Sequence, residues 1–469
     1  MAVRIPSARS PFGGKSGGDG RSDNRLALLD QAFYEGHRAV GQQEVMQVGW
    51  VYERAIEVDQ LQRFHDELSK GLLGRLIERS PLPFGRHRWV AAAFSSGIDI
   101  DDRTRPRTEL GDWFDECTQL PVDPESGPGW RINVVPVTDG STAVSLVLSH
   151  YVIDGIGAAV AVTEAIWGRS RQLGYPPQGS RTRLQALIQD AGETARETPA
   201  VARALVAAVR ENRRRRDEES RSSPLRDGAE MKSGTDEPVI APSIWIRIRQ
   251  DEWNARAEAL GGTHSTLAAG FTALLDRQMG REHGGVDGVP VLLTVNERTT
   301  ADDARAIAVS FVRAYLDPTA LSADLRDARA AIKDAMKAAQ DSRDGTADLV
   351  PLTPFTPVRA WRQLADYART DPEQPAVCSN LGDTGPAAIR LDGTLCDAAF
   401  ARGASQHFTR RWLERIGSQA HVYYGTATEM NLVTMYICAF RHGWVETKAE
   451  LRELVAQVLV EFGLSGEIE

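Results

Sequence analysis

The stretch VSLVLSHYVIDGIG, residues 144–157, decides how the rest of the chain is read. Its first half, within Ala143 to Ser149, is apolar and β-branched enough for a strand. His150 closes that strand on the parity of Val144, Leu146 and Leu148. A polar imidazole at the exit of an apolar strand stands at an element's edge, where clefts form. Its ordinary pKa, near ~6.5, leaves a neutral ring able to accept a proton. Asp154 and Gly155 follow in a tight loop suited to holding the ring from behind. The residues alone leave a second reading open: a structural histidine ahead of a helix that Asp154 caps.

Outward from this stretch, WRINVVPV (130–137) and STAVSLVLSH (141–150) flank Thr138, Asp139 and Gly140, a strong hairpin signal. Upstream, LALLDQAFYEG (26–36) reads as a helix, EVMQVGWVYERAI (44–56) as a strand and RHRWVAAAF (86–94) as another strand. DQLQRFHDELSKGLLGRLIER (59–79) has apolar residues at helical steps, from Leu61 through Leu76, and predicts one amphipathic helix. Downstream, SIWIRIRQ (243–250) alternates like a strand and opens a second lobe. A helix pair (251–281) follows, its second member capped by Thr263 or Ser265. Strand patterns at 288–300 and 306–318, a helix at 321–345 and a closing helix at 447–464 complete the lobe. Helices and strands mix in both halves, which predicts an α/β (α+β) fold. The expected division is a mobile tail over 1–23, an N-terminal lobe over 24–180, a helical and polar linker over 181–238, and a C-terminal lobe over 239–469.

With 469 residues, the chain is long enough for two or three domains at about 100–200 residues each. Its 55 Lys and Arg against 64 Asp and Glu leave a net charge of -9, which argues against nucleic acid as a partner. No run approaches the ~20 apolar residues of a spanning helix. VARALVAAVRENRRRR (201–216) reads as an ordinary packed helix, with an interfacial helix as the alternative. The Arg213 to Arg216 run lies beside Asp217, Glu218 and Glu219, whose charges cancel its field. Four scattered cysteines without a C-x-x-C pair fit a reducing cytoplasm, and the N-terminus lacks the apolar core of a secretory signal. Nine histidines show no metal-ligand spacing, so no metal is expected. No G-x-G-x-x-G follows a strand, so no nicotinamide cofactor is expected either. The one G-x-S-x-G match, starting at Gly14, has no strand before it and belongs to the tail.

His150-x-x-x-Asp154-Gly155 after an apolar strand resembles the signature of an acyltransferase superfamily. That superfamily includes chloramphenicol acetyltransferase, peptide-synthetase condensation domains, polyketide-associated acyltransferases and bacterial wax ester synthase/diacylglycerol acyltransferases. Other pieces fall in the family's order. GPGWRINVVPVTDGSTAVSLVLSH resembles the strand pair that leads into the motif, and GGTHSTLAAGFTALL the helix that opens the second lobe. LLTVNERTT resembles the Asn-x-Arg strand end, and VCSNLGDTG the Ser-Asn-x-Gly segment. The likeness runs from about residue 25 onward. One departure is Ser149, which stands where many members carry a first histidine.

The resemblance implies two chloramphenicol acetyltransferase-like lobes with a channel between them and His150 at its centre. It implies acyl transfer from a thioester, on coenzyme A or a carrier protein, to a hydroxyl or amine, with His150 as general base. His150, Asp154 and Gly155 form the implied catalytic set, with Gly155 permitting close approach of the loop. Asp154 is mainly structural, and Arg298 is its expected partner, since a buried aspartate needs one. Ser149, Asn296, Ser379 and Asn380 are the expected substrate contacts. The expected partners are the donor thioester, a small alcohol or amine, and for one subtype a carrier protein. Acyl-CoA or a phosphopantetheine thioester enters as substrate, and no cofactor is implied. A cytoplasmic monomer is expected, with peripheral membrane contact for a lipid-type enzyme. Two subtypes stay open here, a fatty acyl-CoA:alcohol enzyme and a stand-alone condensation enzyme, beside a non-catalytic binding scaffold of the same fold.

Overall fold

The computed structural model describes residues 23–93, 96–219, 235–281, 283, 288–300, 302–347, 349–369 and 373–469. Residues 1–22 of the expected tail, Gly14 included, and 220–234 of the expected linker lie outside them. Among the described residues the strands are β1 (Gln43–Tyr52), β2 (Arg75–Glu78), β3 (Arg88–Ala91), β4 (Ile98–Ile100), β5 (Trp130–Pro136), β6 (Thr142–Ser149) and β7 (Ser243–Arg249). They continue with β8 (Val289–Asn296), β9 (Val309–Leu316), β10 (Ala376–Asp383), β11 (Ala398–Gln406), β12 (Ser418–Ala427), β13 (Leu432–Arg441) and β14 (Gly466–Ile468). One sheet has the order β11-β1-β6-β5-β4 and the other β14-β7-β13-β12-β10-β8-β9, with β2-β3 a separate pair. The expected hairpin is β5-β6, antiparallel from Trp130↔Leu148 to Pro136↔Thr142.

Every residue of β6 is buried, which fits a strand whose polar members are only Thr142, Ser145 and Ser149. One face of the first sheet, with Val144, Leu146 and Leu148, packs on the helices Leu28–Ala39, Val58–Leu68 and Gly155–Ile166. The other face, with Ala143 and Val147, packs on Trp113 and Phe114 and on Trp245 and Tyr436 of the second sheet. The lobes therefore share a core. A buried polar knot pins the same junction. Arg402 of β11 lies 2.7 Å from Asp115, donates 2.7 Å to Gln47 Oε1, and stacks over Tyr436 at 4.2 Å.

Two expectations need correction. The lobe expected over 239–469 does not keep all its strands. β11 crosses over and pairs with β1, with Val45 opposite Ala404 and Trp50 opposite Ala399. The segment around 304–308 also leaves the second lobe. Asp30 accepts hydrogen bonds from the Ala306 and Ile307 amides at 3.0 and 2.8 Å. Arg75 donates to the Ala304 and Val152 carbonyls at 2.6 and 2.7 Å while stacked 4.0 Å from Trp89.

The helix expected over 59–79 stops at Leu68, because Gly71 and Gly74 turn the chain and Arg75–Glu78 continues as β2. The turn is too tight for a side chain, since a Cβ at Gly74 would stand 2.1 Å from the Ser69 carbonyl oxygen. The helical and polar linker expected over 181–238 is, in its described part, mostly one helix, Arg183–Glu219. It docks on the first lobe through ion pairs of Asp190 with Arg88, and of Glu197 with Arg25 and Arg86.

Candidate functional site

His150 sits where β6 ends and the chain turns toward a helix. Its amide donates to the Glu44 carbonyl at 3.0 Å, and Tyr151 Oη ties the start of β1 by accepting from the Glu44 amide at 2.9 Å. Phe33, on the helix Leu28–Ala39, packs on the imidazole with ring centroids 5.1 Å apart, and His37 lies one turn further along that helix. The two ring nitrogens are unlike. Nδ1 is enclosed and has no hydrogen-bond partner. Nε2 is not among the enclosed orphan atoms and has no hydrogen-bond partner among the described residues, and the residue as a whole is half-buried. Burial lowers the imidazole pKa from its usual 6.5; the Asp154 and Glu44 charges oppose the shift and His37 adds to it. The ring is therefore neutral at pH 7.

Asp154 has a different setting. It caps the helix Gly155–Ile166, accepting from the Gly157 amide at 2.7 Å. Arg298 Nη2 lies 2.9 Å from both carboxylate oxygens, and the Ala308 amide donates to Oδ2 at 2.7 Å. The two side chains are 1% and 3% exposed, so the carboxylate faces protein rather than solvent. Arg298 also donates to the Asp303 and Arg305 carbonyls. The clamp thus ties the loop after His150 to the segment that crosses from the second lobe. Close approach continues beside it. A Cβ at Gly155 would stand 3.1 Å from Leu381 Cδ2, and one at Gly157 would stand 3.1 Å from Arg298 Nη2.

The other expected contacts do not all reach a substrate. Ser149 is 0% exposed and lies on the opposite parity from His150, so it cannot touch one; its Oγ accepts from the Tyr151 amide at 3.4 Å. Asn296 is exposed and closes its own turn, its Oδ1 accepting from the Arg298 amide at 2.9 Å. Ser379 is buried against Thr294, with the hydroxyls 3.3 Å apart. Asn380 lines a cavity of about 360 Å³. The cavity lies between β8, β10 and β12, the start of the helix His264–Gln278, and the helix Arg326–Ala347, with Leu293, Ile332 and Met336 as apolar walls and Arg329 and Lys333 as cations. Leu381, the residue after Asn380 on β10, reaches the Gly155 loop. Cys378 also lines it, but burial pushes its thiol up to about 12, leaving it protonated at neutral pH.

Sequence reasoning missed Phe33, His37 and Glu44 around the imidazole, and the Asp30 and Arg75 contacts that hold 304–308. Phe33 and His37 carried a readable signal, an aromatic and an imidazole four residues apart on one helix face. Among the described residues no group of three or more His, Cys, Asp or Glu is placed to hold a metal ion, and no helix is long and apolar enough to cross a membrane.

A pH dependence follows from the buried ring. A reaction that uses neutral His150 as base gains rate with rising pH and levels off above a midpoint below 6.5, read from kcat/KM against pH. Stability moves the same way. The unfolded imidazole binds a proton that the folded one resists, so this contribution is full above 6.5 and is lost as pH falls through the lower folded value.

No family model and no curated protein sequence matches the chain. Solved structures do. The first condensation domain of the CDA synthetase aligns with a TM-score of 0.55 at 12% identity, over 96% of this chain and 100% of that one. Trichothecene 15-O-acetyltransferase TRI3 from Fusarium sporotrichioides aligns at 0.55 and 11%, over 94% of each chain. Polyketide synthase associated protein 5 from Mycobacterium tuberculosis aligns at 0.52 and 13%, over 93% and 98%. The crossing strand, the paired sheets and this full-length superposition together show that the chain has the two-lobed α/β fold of the condensation-domain and chloramphenicol acetyltransferase-like acyltransferases.

Proposed function

We propose that the protein is an acyltransferase that moves an acyl group from a thioester to a hydroxyl or amine, with His150 as general base. The observation that carries this reading is the unpaired Nε2 of a neutral, half-buried imidazole, on a loop fixed by the Asp154–Arg298 clamp. In the reaction, Nε2 takes the acceptor's proton as its oxygen or nitrogen adds to the thioester carbonyl. The tetrahedral intermediate then collapses, the carbon–sulfur bond breaks, and the imidazolium returns the proton to the leaving thiolate. Holding both substrates against the loop supplies the rest of the rate through orientation. The cavity beside Asn380 suits the donor's arm, since Leu293, Ile332 and Met336 give it apolar walls and Arg329 and Lys333 are among its lining.

The experiment is incubation with thioesters of graded chain length, both as coenzyme A esters and on a phosphopantetheine carrier, with alcohol and amine acceptors, scored by free thiol. Acceptor-dependent thiol release is the expected result. Silence with every donor and acceptor overturns the reading and favours a binding scaffold. Met336→Trp, which fills the cavity, is expected to raise KM for long donors about tenfold while changing kcat less, because it removes binding shared by ground and transition states.

A further inference from the structure

The helix Arg183–Glu219 is turned inside out over its first six turns. Its inward face is ionic. Asp190 is buried against Arg88 and Arg181, Glu193 meets Arg88, and Glu197 meets Arg25 and Arg86. Its outward face is apolar. At about 100° per residue, Leu184, Ile188, Ala195, Ala202 and Val206 form one stripe. That stripe faces solvent: Leu184, Ile188 and Val206 are 66%, 67% and 51% exposed. An ordinary surface helix turns its apolar stripe to the core; here the ion pairs hold it outward.

Charge is sorted as well. The three acids between Arg183 and Val206 all face arginines of the first lobe, and the exposed charges of that stretch are Arg183, Arg196 and Arg203. This happens in a chain of net charge -9. The turn Val350–Phe355 packs on the same helix and carries the exposed Phe355, stacked on the exposed Phe84 at 5.8 Å between ring centroids.

We propose that this face docks on an anionic lipid bilayer, with Leu184, Ile188 and Val206 entering the interface and Arg196 and Arg203 at headgroup level. The charge sorting selects this occupant. A second copy packed face to face would bring like-charged arginines together, and an acidic bilayer pairs with them. Residues 1–22 and 220–234 are polar and rich in Gly, Ser and Arg, a composition that does not supply an apolar cover. The proposal stands apart from the acyl-transfer reading and is tested without turnover.

The test is flotation of the full chain with vesicles of phosphatidylcholine alone, and with about 30% phosphatidylglycerol added. The protein is expected to float with the anionic vesicles only, and raised salt to release it in part. Ile188→Asp with Val206→Asp is expected to lower the bound fraction at least about tenfold. Arg196→Gln with Arg203→Gln, which leaves the apolar stripe intact, is expected to lower it by a similar factor. Thermal melts matching the wild type show that the variants fold, since all four side chains are exposed. Three outcomes overturn the proposal. The wild type stays unbound at millimolar lipid, both double variants float like the wild type, or light scattering shows a dimer that the aspartates dissociate.

Discussion

His150→Ala is expected to lower acyl-transfer kcat/KM by about 10²–10⁴-fold in a protein that still folds, the range typical for loss of a general base. The Glu44 carboxylate is engaged, accepting from the Ser405 hydroxyl at 2.7 and 2.8 Å, and His37, with Nδ1 2.8 Å from the Phe33 carbonyl oxygen, is the other imidazole nearby. Asp154 has its oxygens taken by Arg298 and two amides. The stability cost is small by comparison, because Nδ1 has no hydrogen-bond partner to lose. Single-turnover thiol release, beside a melt by circular dichroism, separates the two effects. A folded variant within about threefold of wild type would remove His150 from the chemistry, since even a weak general base contributes about 10²-fold.

The parts of this site that are local in sequence were legible, and those that depend on the crossing of the chain were not. β6 announces itself through a mostly apolar, β-branched run, and the next five residues carry the imidazole and the helix cap. Period-2 alternation already placed Ser149 on the face opposite His150; its expectation as a substrate contact followed the family pattern instead and does not survive a side chain that is 0% exposed. Arg298 is 144 residues from Asp154, in a polar loop without periodicity, so only the family resemblance pointed to it. β11 is illegible for a different reason. AAFARGASQ is rich in Ala and Gly, residues of low β-propensity, and its place in the first sheet is fixed by pairing with β1 rather than by its own pattern. Arg75 is the sharpest case. A cation inside an apparently amphipathic run reads as a solvent-facing position, yet it is fully buried between Trp89 and two carbonyls.

Arg298→Met is expected to cost about 3–5 kcal/mol of stability, the range for removing one partner of a buried ion pair. The loss is large because Asp154, 1% exposed, would keep its charge with only the Gly157 and Ala308 amides to meet it. Asp154→Asn is expected to cost less than Arg298→Met. Its amide oxygen can still accept from Gly157, though its NH₂ must then face the guanidinium. The combined variant Asp154→Asn/Arg298→Met restores part of what Arg298→Met alone loses, because no unpaired charge remains buried. Urea denaturation of the four proteins gives the coupling directly. Turnover should track folding in this series once each variant is assayed where it is native, with a residual loss from the loosened His150 loop. A stable, native Asp154→Asn protein without any activity would break that link and move the carboxylate from holding the loop to taking part in the reaction.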